Sequence, residues 1–283
     1  MYPVKAAAVH QRKENDTESV AAEAGVLPFA SDSVVIPDYL RDVYHWAYLS
    51  SFGRAVFDHP LVVHAILWGN MHRLTRAMVA EVKPGQSVLQ PACVYGNFSL
   101  ILAETIGAVG RLVVTDVAPL QVINAQRKLG HLSNVTVQLS DAARPPGGPY
   151  DVVACFFLLH EVPEDYKHRI VDALLSVVTP GGKVVFIDYH QPWPLHPLKP
   201  LMSLVFNTLE PFAGALWQRE INSYGFLTGQ FSWHKETFFG GLYQKVVAQH
   251  RAEDCCCSGR GESDCLQRDM QSTSIVKSLS EDI

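Results

Sequence analysis

The chain has no apolar run long enough for a bilayer span, no basic excess, no separated pair of Cys-x-x-Cys motifs and no internal repeat. Each absence removes a class of protein. A spanning helix needs about 20 predominantly apolar residues, and the apolar stretches here are shorter and broken by Pro. With 23 Lys and Arg against 28 Asp and Glu, the net charge of −5 lacks the footprint of a nucleic-acid binder. The six cysteines fall into two groups. Cys93 and Cys155 sit in or beside strand-like segments, while Cys255, Cys256, Cys257 and Cys265 crowd the last 30 or so positions. No secretory signal opens the sequence, so a disulfide framework is not expected. The late cluster lacks metal-ligand spacing and is read as part of a solvated tail.

What the chain does contain is alternation. Residues 1–35 have no period and are expected to form a disordered arm, and 251–283 a disordered polar tail. One α/β domain is expected between them, over 36–250. It opens with helices over 36–83. In the first, Tyr44 and Tyr48 stand one turn apart; a second is expected from His59 to Glu81, stopped by Pro84-Gly85. Short β-branched runs then alternate with helical patterns: Ser87–Gln90, Arg111–Asp116, Asn134–Leu139, Tyr150–Phe156 and Lys183–Asp188 are expected strands. Such alternation builds a parallel sheet wrapped by helices. Gly240-Gly241 between two further runs is a hairpin signature. An apolar, Pro-rich insertion separates the fifth strand from it, over 191–218. The expected fold is Rossmann-like: a doubly wound, mostly parallel sheet ending in an antiparallel hairpin, as in class I methyltransferases.

Parallel sheets bind ligands at the carboxyl ends of their strands. The first end reads Val88-Leu-Gln-Pro-Ala-Cys-Val-Tyr-Gly-Asn-Phe-Ser99, where a methyltransferase loop would read Val-Leu-Asp-x-Gly-x-Gly-x-Gly-x-x-Ser. Gln90 replaces the acid, Ala92 and Val94 replace glycines, and Tyr95 precedes the retained Gly96. All five are candidate cofactor contacts. Asp116 closes the second strand, where a carboxylate accepts both ribose hydroxyls; capping of the following helix is its plainer role. Asp141 ends the third, as an acceptor for an adenine amino group or as a turn residue. A loop acid would hold the cofactor's amine as an ammonium ion, and the neutral Gln90 removes that effect. His160 and Glu161 follow the fourth strand, and Asp188 and His190 the fifth. Imidazole and carboxylate there suit general acid–base work or a metal with N/O ligands. Packing is the plainer role for each histidine, as amphipathic burial is for Tyr44 and Tyr48, whose other reading is a roof over a planar substrate.

Several longer strings carry a family resemblance. They are Tyr39-Leu-Arg-Asp-Val-Tyr-His-Trp-Ala-Tyr-Leu49, Cys93-Val-Tyr-Gly96, Leu158-Leu-His-Glu-Val-Pro-Glu164, Asp188-Tyr-His-Gln-Pro-Trp-Pro-Leu-His-Pro197 and Lys235-Glu-Thr-Phe-Phe-Gly-Gly-Leu-Tyr-Gln-Lys245. Together they resemble the rhodoquinone biosynthesis family RquA, a divergent branch near the quinone methyltransferases. The resemblance covers about residues 36–250. It implies conversion of ubiquinone to rhodoquinone, an amino group replacing a ring methoxy group. S-adenosylmethionine would be the amino donor and Mn²⁺ the metal.

On this reading His160, Tyr95 and His190 are the catalytic candidates. His160, Glu161 and Asp188 are the metal candidates, and Tyr44 and Tyr48 the substrate contacts. A quinone with an isoprenoid tail also requires peripheral contact with a membrane surface. The cytoplasmic face of a bacterial inner membrane is the expected place and a mitochondrion the alternative. The insertion after the fifth strand reads equally as the membrane contact or as a lid. Two competing functions are a conventional quinone or small-molecule methyltransferase and a non-catalytic quinone-binding protein.

Overall fold

The computed structural model describes Pro37 and residues 64–251. Tyr44, Tyr48, the expected arm and almost all of the expected tail lie outside the described residues. The elements are α1 (Met71–Val79), β1 (Ser87–Gln90), α2 (Phe98–Ile106), β2 (Arg111–Asp116), α3 (Pro119–Leu129), β3 (Val135–Leu139) and β4 (Tyr150–Phe156). Then come α4 (Glu164–Ser176), β5 (Val178–Tyr189), α5 (Lys199–Thr208), β6 (Phe231–Phe238) and β7 (Tyr243–His250).

All seven strands form one sheet in the order β3-β2-β1-β4-β5-β7-β6. The first five pair in parallel, and β7 runs antiparallel to both β5 and β6. This is the expected doubly wound sheet with a terminal hairpin. The turn uses positive φ at Phe239, Gly240 and Gly241, and glycine adopts that region without a Cβ penalty.

Period-two alternation sorts each strand between two cores. Val88, Leu112, Val114, Val152, Ala154, Val185 and Ile187 face one side, where α1, α2, α3 and α5 pack through residues such as Leu74, Phe98, Leu129 and Met202. Leu89, Val113, Val153, Val184 and Phe186 face the other, under Ile170, Val171 and Leu174 of α4. The helix starts follow local chemistry. Pro119 opens α3, where its missing N–H costs nothing. Glu164 and Asp165 occupy the first turn of α4, complementing its dipole.

The helix expected over 59–81 does not run through. Residues 64–66 are helical, but Trp68 and Gly69 then take φ of 50° and 77° before α1 begins. Asn70 holds the break, its side-chain amide donating to the carbonyls of Leu67 (3.1 Å) and Trp68 (3.0 Å). The apolar pattern is helical throughout; the Gly69-Asn70 pair, a turn signal, ends the first segment. The break brings Ala65–Trp68 and Met71 to the carboxyl end of the sheet.

Candidate functional site

The strand order reverses direction between β1 and β4, and crevices of α/β sheets open at such points. A cavity of about 400 Å³ lies there. One half is lined by Pro91–Tyr95 after β1, Asp116–Ala118 after β2, and Asp141 and Ala142 after β3. The other half is lined by Phe156–Leu158, His160–Val162, Tyr189, Met202, Val205, Leu209 and Glu210, with Ala65–Trp68 and Met71 also in its wall. A second cavity, about 190 Å³, lies under the β1 loop against α3 and includes Gly96, Asn97, Ser99, Gln121 and Lys128.

Asp116 is the carboxylate of the first half. Its oxygens accept from the Cys93 N–H (2.9 Å) and the Ala118 N–H (2.8 Å), so it ties the β1 loop to the turn that leads into α3. Burial raises its pKa to about 6 against the pull of these hydrogen bonds. The same burial pushes the Cys93 thiol far above its usual range, which rules against a thiolate nucleophile. Asp141 accepts from the Ala143 N–H at 2.9 Å and from the Tyr166 hydroxyl. Its turn role and its place on the cavity wall coexist. The Tyr95 hydroxyl accepts from Gln121 Nε2 at 2.6 Å, which fixes the ring at the cavity edge. Ala92 and Val94 line the wall beside it.

Gln90 is placed differently from the expectation. Its side chain lies fully buried beneath the loop, off the cavity wall, with Nε2 donating to the Ala92 carbonyl at 2.7 Å and Oε1 without a hydrogen-bond partner among the described residues. It shapes the loop from below. Gly96, at φ 84°, likewise lines the second cavity, not the first.

The second half is organised by Asp188 and His160, both buried. Asp188 Oδ1 pairs with His160 Nδ1 at 2.9 Å, and Oδ2 accepts the N–H groups of Leu159 (2.8 Å) and His160 (3.3 Å). Burial alone would discharge the imidazole, but Asp188, with Glu210 and Glu161, outweighs it and raises the His160 pKa to about 9. The ring therefore carries its proton near neutrality, with Nε2 directed towards Glu161 Oε1 at 3.7 Å. Phe157 and Tyr189 meet the imidazole edge-on, at 5.8 and 4.9 Å between centroids.

Two expectations are corrected. His190 is turned to the hairpin, where Nδ1 pairs with the Gly241 carbonyl (2.9 Å) and Nε2 lies 3.4 Å from Lys235 Nζ; it is absent from the cavity wall. The alternation of side chains along an extended strand end sends it to the side opposite its neighbour Tyr189. The metal set also fails. Asp188 spends both oxygens on His160 and backbone N–H groups, and no group of three or more His, Cys, Asp or Glu among the described residues is arranged to hold a metal. Mn²⁺ does not fit the donors present among the described residues.

Two residues at or beside the cavity escaped the sequence reading. Lys167, wholly buried, donates to the carbonyls of Val162 (2.6 Å) and Phe212 (3.1 Å), tying the His160 turn to the chain after α5. Burial lowers its pKa to about 8. Within an amphipathic helix it reads as a surface lysine. Glu210 lines the cavity and had a legible signal: it is the only charged residue between Lys199 and Arg219.

The Asp188–His160 pair makes a checkable statement about ionisation. Asp188→Asn is expected to lower the His160 pKa well below 9, because burial is then opposed only by the weaker pull of Glu210 and Glu161, as read by NMR of labelled histidine. A folded-state value above the unfolded one means stability present below pH 6.5 and lost as pH rises towards 9. The parent should lose stability between pH 6.5 and 8 in denaturant titrations, and the variant should lose that slope. An unchanged His160 titration in the variant would remove Asp188 as its cause.

Comparison with known proteins agrees with this geometry. Residues 88–182 match the methyltransferase domain family. The ubiquinone/menaquinone biosynthesis C-methyltransferase UbiE of Ectopseudomonas mendocina is 27% identical over 187 residues, 62% of this chain and 70% of that one. The demethylmenaquinone methyltransferase of Bacillus cereus is 27% identical over 179 residues, 61% and 74% respectively. Among solved structures, the N-methyltransferase NodS of Bradyrhizobium japonicum in complex with S-adenosyl-L-homocysteine superposes with a TM-score of 0.50. It is 14% identical, and the match covers 77% of this chain and all of that one, a likeness of fold. Residues 88–182 are thus similar to a methyltransferase domain, and the sheet that contains them has the Rossmann-like fold of class I S-adenosylmethionine-dependent methyltransferases.

Proposed function

We propose that this chain uses S-adenosylmethionine to modify the ring of a ubiquinone-type quinone. The observation that carries the reading is the single cavity that joins a carboxylate-bearing half to an apolar half, with a charged imidazole in the second. In the first half, Asp116 would accept ribose hydroxyls, Asp141 the adenine amino group, and the backbone after β1 would seat the methionyl end beside Tyr95. The donor chemistry of these groups fits that cofactor, which supplies the transferable group. Phe157, Met202, Val205 and Leu209 suit a substituted ring with a prenyl tail. The protonated His160 can polarise a ring carbonyl or balance a phenolate.

Two reactions fit this site. Methyl transfer to a ring carbon is supported by the quinone C-methyltransferases among the relatives. Exchange of a methoxy for an amino group is the second reading, favoured by the loop: Val94-Tyr95 replaces the open glycines and neutral Gln90 replaces the acid. A quinone makes its methoxy-bearing carbon electrophilic, and only an uncharged amine can add there. The buried position of Gln90 confines its influence to the field and shape of the loop. A bilayer contact supports either reaction. Leu201 and Leu204 are exposed on α5, next to the cavity-lining Met202 and Val205, and Trp193 and Leu195 are exposed just before it. Such a face lies readily at a lipid interface.

The decisive measurement is product mass after incubation with ubiquinone or its ring-demethylated precursor, S-adenosylmethionine and lipid vesicles. Methylation adds a methyl to the precursor; amino exchange lowers the mass of ubiquinone itself. No mass change with either would overturn the quinone reading. Vesicle co-sedimentation should fall on Leu201→Glu with Leu204→Glu while the cofactor still binds; unchanged sedimentation removes α5 as the contact. Asp116→Asn should weaken cofactor binding roughly 10- to 100-fold, the scale of a lost charge-assisted hydrogen bond. Parental affinity should itself decline as pH falls through about 6, where the carboxylate protonates. Calorimetry showing parental affinity in the variant would remove the ribose assignment.

A further inference from the structure

Glu210 stands just after α5, fixed by its N–H to the Val205 carbonyl (3.2 Å) and by the Ala213 N–H to its own carbonyl (3.0 Å). Its side chain lines the cavity, yet the buried Oε2 has no hydrogen-bond partner among the described residues. Leaving such an oxygen unpaired is costly, more so when it is ionised. No contact among the described residues gives this oxygen a structural task. Lys167, the nearest tether of its segment, spends its ammonium on the Val162 and Phe212 carbonyls and on Glu164 at 3.8 Å. Burial raises the Glu210 carboxyl pKa, the charge of His160 on the same cavity wall opposes that rise, and Asp188 adds to it. A carboxyl group with a raised pKa, facing a cavity that also holds a fixed imidazolium, is built to exchange a proton with whatever enters.

We propose that Glu210 is a catalytic base of the acceptor half, taking the proton that a ring hydroxyl of the bound acceptor loses while His160 balances the oxyanion. The step is a plain proton transfer. The O–H bond breaks towards the Glu210 carboxylate, its electron pair stays on the ring oxygen, and the carboxyl later returns the proton to water. In the amino-exchange reading the same carboxylate takes a proton from the attacking nitrogen and returns it to the departing methoxide as methanol, a step that leaves the nitrogen still bonded to the methionyl carbon. The assignment rests on the quinone reading for the identity of the acceptor. It does not rest on it for the chemistry of the group, because any phenol seated there meets the same pair.

The test therefore has two arms, both on the full chain. The first follows turnover of a short-tailed quinol with S-adenosylmethionine against pH. Glu210→Gln keeps the shape and removes the base. It is expected to lower kcat by about 10²-fold or more and abolish the acidic limb of the pH profile. Affinity for S-adenosyl-L-homocysteine should stay within about twofold, since the effect is on the acceptor side. Glu210→Asp, which retains a carboxylate, should recover some of the rate. The second arm needs no turnover: 4-nitrophenol is bound to the homocysteine-loaded protein at a pH where it is mostly protonated in water. With the parent the carboxylate takes the phenol's proton, so phenolate should form with little proton release to a dilute indicator buffer, whereas Glu210→Gln should release about one proton per phenolate formed. Parental kcat and pH profile in Glu210→Gln, or equal proton release per phenolate by parent and variant, would overturn the proposal. A parent that retains the phenol's proton but turns over no quinol would keep Glu210 as the base and remove the quinone.

Discussion

The carboxylate of Asp188 is the constraint on which the acceptor side depends. It sits at the end of β5 and gathers four donors: the N–H groups of Leu159, His160 and Tyr189, and the imidazole Nδ1. A charge buried this deeply is tolerated only when its lone pairs are filled. Filling them fixes the turn after β4 against β5, sets the imidazole plane, and keeps its proton. The aromatic wall of Phe157, Tyr189 and Tyr243 packs around that arrangement. The chemistry of the cavity is therefore a consequence of how two neighbouring parallel strands are tied at their ends.

Lys167 has a similar role further from the cavity. A buried ammonium bonded to two carbonyls joins the turn after β4 to the segment after α5, and so sets His160 and Glu210 in one frame. Such a tie is costly to bury, which fits its lowered pKa. Position, more than stability, is what it supplies.

Much of the fold was legible. Strand and helix periods differ, and their alternation between 87 and 189 leaves few topologies once crossovers are right-handed. Gly240-Gly241 announced the reversed strand. The strand ends pointed to Asp116, Asp141 and His160, which line the cavity, and to Asp188, which lies behind His160, because a parallel sheet brings its carboxyl ends together. What the pattern could not give was direction. His190 is one residue beyond Tyr189 and points elsewhere, and Gln90 lies under its loop where a strand end suggested contact. Asp188 looked like a metal ligand because a sequence does not show which lone pairs the backbone has already taken. The break at Trp68-Gly69 was hidden by an apolar pattern that stays in helical phase across it. Glu210 was hidden differently: its isolation among apolar residues was visible, but only the fold brings it opposite His160.

The wall residue Phe157 has a left-handed backbone, φ 52°, with its N–H held by the Ile187 carbonyl at 2.8 Å. For an L-residue with a bulky side chain that conformation costs about 1–2 kcal/mol relative to the ordinary regions. The ring offsets that strain through its contacts with Phe156, His160, Tyr189 and Tyr243, since truncating a packed aromatic costs about 3–5 kcal/mol. Glycine would suit the backbone there and lose the wall. The hinge between strand and turn is thus held in a strained conformation by the same ring that shapes the chamber, so backbone and cavity cannot be altered separately at this position.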